Sequence, residues 1–129
     1  MACDAPESRS PLTLTEGWVR AMPPGSAVMS AYGTFSNQGT ESLKIVSASS
    51  DSFSSVGFHE TRVEADVSRM ERQSGWTLEP GKVLELRPGG KHLMLMQPTR
   101  ELAVGSEITL ILVDDAGTNF EFRLRVEAR

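Results

Sequence analysis

Cysteine is nearly absent from this chain: Cys3 is the only one in 129 residues. No intramolecular disulfide can form, and thiolate-rich zinc or iron–sulfur sites are excluded. Histidine is almost as scarce. His59 and His92 are the whole supply, so a catalytic triad or a three-histidine zinc site would have two imidazoles at most to draw on. Long apolar runs are missing too. Unbroken stretches are as short as Leu110 to Val113, far below the ~20 residues of a membrane-spanning helix. Positive charge is in deficit: 13 Lys+Arg stand against 17 Asp+Glu, a net charge of −4. There is no basic stripe for nucleic acid and no Lys/Arg cluster for an anionic membrane surface. No Gly-rich phosphate loop and no serine nucleophile elbow occurs, and the carboxylates Glu60, Glu64, Asp66 and Glu71 fall in charged stretches that read as solvated faces. An enzyme is not expected.

Apolar residues nevertheless make up 39% of the chain, enough for the core of one domain. Residues 1–11 are polar and without periodicity, and read as a flexible lead-in. Within them, Ala2-Cys3 resembles the end of a bacterial lipoprotein signal, where a small residue precedes a lipid-modified cysteine. On that reading Cys3 carries a lipid anchor and residues 1–11 are a linker remnant; otherwise Cys3 is an incidental thiol. From Leu12 onward the punctuation is dense. No 12-residue stretch carries a helical apolar pattern free of Gly or Pro. Strand signals are strong. In Thr118 to Glu127, Phe120, Phe122, Leu124 and Val126 share one face and charged residues occupy the other. Ile108 to Val113 pairs with it through the Asp114-Asp115-Ala116-Gly117 turn. Further strands are expected at 13–20, 30–37, 43–50, 57–63, 83–86 and 92–97, separated by turns such as Pro23-Pro24-Gly25 and Pro88-Gly89-Gly90. Many short strands at this spacing predict an all-β sandwich or barrel over residues 12–129.

The chemistry concentrates in His59, Met70, His92 and Met94. His92 and Met94 stand at i and i+2 of one expected strand, so they share a face, with Leu93 and Leu95 on the other. His59 lies on a separate strand. Met70 opens a polar stretch, Met70-Glu71-Arg72-Gln73, where its side chain has no evident core to join. Two imidazoles and two thioethers suit Cu(I): thioether sulfur is soft and uncharged, binds hard cations poorly and does not form disulfides outside the cytoplasm. Taken singly, each methionine also fits as core filler and each histidine as an ordinary hydrogen-bonded residue. Met22 and Met29 are left with that structural role, and Met96 is a reserve ligand on the His92 face.

The spacing of the four residues is ten, twenty-one and one intervening residues. It is similar to the H-x10-M-x21-H-x-M signature of periplasmic copper chaperones of the copper-A accessory type, the PCu(A)C-like proteins. Gly17-Trp18-Val19-Arg20, Ala31-Tyr32-Gly33-Thr34-Phe35, Phe58-His59-Glu60-Thr61 and Pro88-Gly89-Gly90-Lys91-His92-Leu93-Met94-Leu95-Met96 resemble that family's blocks in its order, over about residues 16 to 127. The resemblance implies a cupredoxin-like Greek-key β-barrel with an exposed Cu(I) site near one end, and His59, Met70, His92 and Met94 as its ligands. It implies one Cu(I) per chain and copper delivery outside the cytoplasm, in the periplasm. The acceptor would be an oxidase subunit or assembly factor, with the copper-A centre of cytochrome c oxidase subunit II as the usual recipient. Many members carry a Met/His-rich tail after the last strand. Residues 128–129 hold neither residue type, so a second site for Cu(II) is not expected.

Three other readings compete. A blue-copper electron-transfer centre needs a cysteine thiolate beside two histidines, and Cys3 is remote from both. An enzyme lacks its motifs. A β-sandwich interaction module without metal explains the strands but not the His/Met set. A monomer is expected, with a metal-bridged dimer as the alternative at high metal load.

Overall fold

The computed structural model describes residues 11–129. Ten strands and no helix occur among them: β1 Leu12–Arg20, β2 Val28–Asn37, β3 Leu43–Ser50, β4 Phe53–Glu64, β5 Val67–Gln73, β6 Trp76–Leu78, β7 Val83–Leu86, β8 Lys91–Pro98, β9 Glu107–Asp114 and β10 Asn119–Glu127. The lead-in through Ser10, with Cys3, lies outside the described residues. No helix among the described residues is long and apolar enough to cross a membrane.

The sheet order β4-β8-β2-β1-β10-β9-β3 closes on itself through a β3–β4 pairing at Ser50 and Phe53, which makes a seven-stranded barrel. Only β1 and β10 run parallel; every other pair is antiparallel. This is the all-β cupredoxin-like barrel that the sequence pattern and the family resemblance lead one to expect. Alternation builds it. On β9 and β10, Leu112 faces Phe120, Leu110 faces Phe122 and Ile108 faces Leu124, so each cross-strand pair delivers two apolar side chains to the interior. Val19, Ala31, Leu93 and Phe58 do the same across β1, β2, β8 and β4.

One irregularity bears on the outer face. Leu12 and Leu14 point inward, yet so does Val19, which reverses the parity of β1. A bulge between Thr15 and Trp18, with Glu16 at φ 54°, supplies the extra residue. It turns Trp18 outward, where its ring meets Tyr32 at 5.1 Å.

The elements that sequence reasoning missed lie off the barrel. β5 pairs only with β4, through a two-residue turn in which Ala65 and Asp66 both have positive φ (50° and 65°). That is the turn geometry whose twist matches a two-stranded ribbon. β4 pairs with β8 only as far as Glu60, so Thr61–Glu64 and their β5 partners extend beyond the barrel wall. β5 is exposed along most of its length, and so lacks the apolar alternation that marks a wall strand. β2 and β4 also begin earlier than expected, at Val28 and Phe53.

Candidate metal centre

Strand register decides which side chains meet. On β4 and β8, His59 lies directly opposite His92, and Gly57 directly opposite Met94. On β4 and β5, Thr61 lies opposite Met70 and His59 opposite Arg72. Directly opposed residues share a face, and so do residues two apart on one strand. His59, Met70, His92 and Met94 therefore all stand on one face of the β5-β4-β8 ribbon, with Met70 and Met94 diagonal to His59 on either side. Leu93, Leu95 and Phe58 take the other face and anchor the ribbon in the core.

The two imidazoles are stacked, with ring centroids 5.9 Å apart and planes 26° from parallel. His92 is buried, at 4% exposure, between the His59 ring and Tyr32, whose ring centroid lies 6.3 Å away. Its Nδ1 donates to the Gly90 carbonyl at 3.2 Å. A neutral imidazole that donates from Nδ1 leaves Nε2 as a free lone pair, the state a metal requires. The same carbonyl accepts the Thr61 amide at 3.0 Å, so one backbone group both orients the His92 ring and holds β4 at its last contact with the wall.

His59 is half-buried, and its Nδ1 is enclosed without any hydrogen-bond partner. An orphaned buried nitrogen costs free energy unless something satisfies it. Burial holds the His59 imidazole below the usual histidine range, and the neighbouring His92 and Arg72 push it further the same way. All three influences favour the neutral, ligating form. The donor set thus fits a soft monovalent ion: two imidazoles, one with an unsatisfied nitrogen, and two thioethers. Among the described residues no group of three or more His, Cys, Asp or Glu is placed to hold a metal ion.

The reverse face clamps the same rungs. Glu60 and Lys91, the chain neighbours of the two histidines, oppose each other and form an ion pair at 3.5 Å. Glu60 also accepts from Gln73 Nε2 at 2.7 Å and from Arg62, and Gln73 Oε1 accepts from the Trp76 indole. Burial alone would raise the Glu60 carboxyl, but Gln73, Lys91 and Arg62 outweigh it and hold it below its usual range. This network ties the base of β5 to the barrel.

Exposure divides the four residues. Met94 is buried at 8%, whereas Met70 is 53% exposed on the projecting hairpin. Met96, the reserve ligand, is half-buried at the rung beyond Met94 and faces Ser55. Met29 packs in the core as expected, but Met22 does not: it is exposed at the rim of an apolar cleft with Pro23, Pro24, Leu102 and Val104. That cleft borders the end of β8, away from His92. Sequence reasoning missed Tyr32, the Gly90 carbonyl and Gly57 as parts of the site. Only Gly57 left a signal, as a glycine inside a strand pattern.

The chain is similar to known proteins along most of its length. Residues 12–126 match the family described as "Putative lipoprotein LpqE-like". A "Putative lipoprotein" of Leifsonia xyli subsp. xyli is 35% identical over 100 residues, 77% of this chain and 59% of that protein. A Rickettsia prowazekii protein is 28% identical over 88 residues, 67% of this chain and 49% of its own. The chain thus spans about half to three-fifths of the curated relatives it matches. Among solved structures, the copper-bound PCuAC domain from PmoF2 superposes with a TM-score of 0.75 at 23% identity, covering 93% of this chain and 95% of that one. The apo form of DR1885 from Deinococcus radiodurans gives 0.68 at 26% identity, covering 100% and 91%. The chain belongs to the LpqE-like family, and its barrel is of the PCuAC type.

Proposed function

We propose that this protein is an extracytoplasmic carrier of Cu(I), which it holds one ion at a time on His59, Met70, His92 and Met94. The observation that carries this reading is the register that puts two imidazoles and two thioethers on one ribbon face, with one imidazole nitrogen buried and unpaired. The copper-bound domain from PmoF2 and the Cu(I)-bound form of DR1885 support it, since both share the barrel. The role is that of a carrier and not of an enzyme. All four donors are neutral, so the cargo keeps its charge and can be exchanged for other ligands.

The exposure gradient suits transfer. His92 and Met94 are fixed in the wall, and Met70 is the donor an incoming partner reaches first. An acceptor's ligands can replace Met70 while the wall ligands still hold the ion. The acceptor is a copper-receiving oxidase subunit or assembly factor, with the copper-A centre of cytochrome c oxidase subunit II as the first choice. Lipid attachment at Cys3 would hold the carrier at a membrane surface, in keeping with the description of the Leifsonia relative.

X-ray absorption at the copper edge tests the ligand set. The chain, as Cys3→Ser, is loaded anaerobically with one Cu(I). Two sulfur and two nitrogen scatterers are expected; a shell of nitrogen and oxygen alone would contradict the assignment. Incubating the loaded chain with a soluble apo copper-A domain then tests the acceptor. Copper moving to that domain supports it, and copper staying on the carrier rules it out.

A further inference from the structure

Gly57 sits within β4, directly opposite Met94 and two residues from His59, on the face that carries the donors. Its backbone does not explain it: φ is not positive there, so no turn or left-handed conformation calls for glycine. Glycine in a strand interior is otherwise a liability, because it gives up side-chain packing and costs more conformational entropy. What Gly57 provides is space. A Cβ built on it would lie 3.2 Å from His59 Nε2 and 3.4 Å from His59 Cδ2, and within 4 Å it would meet nothing else beyond its chain neighbours. Ordinary contacts between such atoms lie near 3.5–4.0 Å. The space above the Gly57 Cα is therefore taken by the His59 imidazole alone.

We infer that Gly57 is a positioning residue for copper binding: its missing side chain is the seat on which the His59 ring rests, leaning toward the Met94 rung. The inference builds on the reading of His59 as a copper ligand. The ring has little freedom elsewhere. The His92 ring stacks against it, and its own Nδ1 is enclosed. A methyl group at position 57 would force the imidazole to shift or turn, and ligand sets lose function when displaced by about 0.5 Å.

Gly57→Ala and Gly57→Val separate this role from a structural one, because only a seat for the ring moves copper affinity and the His59 signals while leaving the rest of the apo fold in place. In extended strand, Gly→Ala restricts the unfolded chain and leaves the folded backbone unstrained, which offsets the cost of moving the His59 ring, so the apo protein should melt near the parent temperature. Cu(I) affinity should fall about tenfold for alanine, the scale seen when a supporting group of a metal site is lost, and further for valine. In the apo protein, the ring resonances of His59 should move while those of core residues such as Leu110 stay in place. Parent-like affinity with unmoved His59 signals in Gly57→Ala would overturn the inference, and so would resonance shifts spread through the core rather than centred on His59. Failure of the parent chain to take up Cu(I) would be a failure of the carrier reading; the apo His59 resonances would still decide whether Gly57 seats the ring.

Discussion

The two flanks of the donor face are built in opposite ways. On β8, His92 and Met94 alternate with Leu93 and Leu95, which are almost wholly buried in the core, so the ligand positions inherit the rigidity of the barrel. On β5, Met70 stands on a strand that pairs with one neighbour only and projects past the wall. His59 lies between the two flanks and pairs with both. On the proposed reading the contrast lets one site both hold and release an ion: affinity is anchored where packing is dense, and access is left where it is sparse.

The largest effect should come from the wall. Leu95→Ala removes a fully buried side chain and should cost about 3 kcal/mol of stability, read by chemical denaturation. Met94→Ala and Met70→Ala sharpen the comparison directly. Both should weaken Cu(I) binding, but only Met94→Ala should also destabilise the apo protein, by about 2 kcal/mol. Met70→Ala should stay within about 0.5 kcal/mol of the parent, because its side chain is already half in water. Equal destabilisation by the two would break the distinction.

Acidification gives a smaller, signed effect. His59 titrates below its usual range in the folded chain, so the unfolded chain binds the proton first as pH falls. Stability from this group is complete above about pH 6.5 and declines below it. His59→Ala should flatten that decline in thermal melts run from pH 7.5 to 5. Copper affinity should fall on acidification as well, since a protonated imidazole cannot ligate. The smallest effect is expected at the hairpin tip. Val63→Ser, at 69% exposure, should change stability by less than about 0.5 kcal/mol, and a larger loss would mean that the hairpin is covered.

Much of this was legible in the sequence, for physical reasons. Wall strands that bury one face alternate, so β9 and β10 announce themselves at Ile108, Leu110, Phe120 and Leu124. The four proposed donors stand out in the sequence because Met70 is out of place in a polar stretch and both histidines keep company with methionine, and strand pairing brings them to one face. β5 was not legible. With both faces open, Val67–Gln73 has no reason to alternate, and the positive-φ turn at Ala65 and Asp66 lacks the usual glycine. The partners of His92 were hidden as well. Tyr32 and the Gly90 carbonyl reach it through strand pairing and backbone geometry, which no spacing along the chain records.

The most direct measurement is an anaerobic Cu(I) titration against a coloured Cu(I) chelator, on the Cys3→Ser chain and on His59→Ala, Met70→Ala, His92→Ala and Met94→Ala in that background. One tight Cu(I) per chain is expected, weakened by every one of the four substitutions and most by His92→Ala. No tight uptake by the parent, or an affinity indifferent to the four changes, would contradict a copper site on this face.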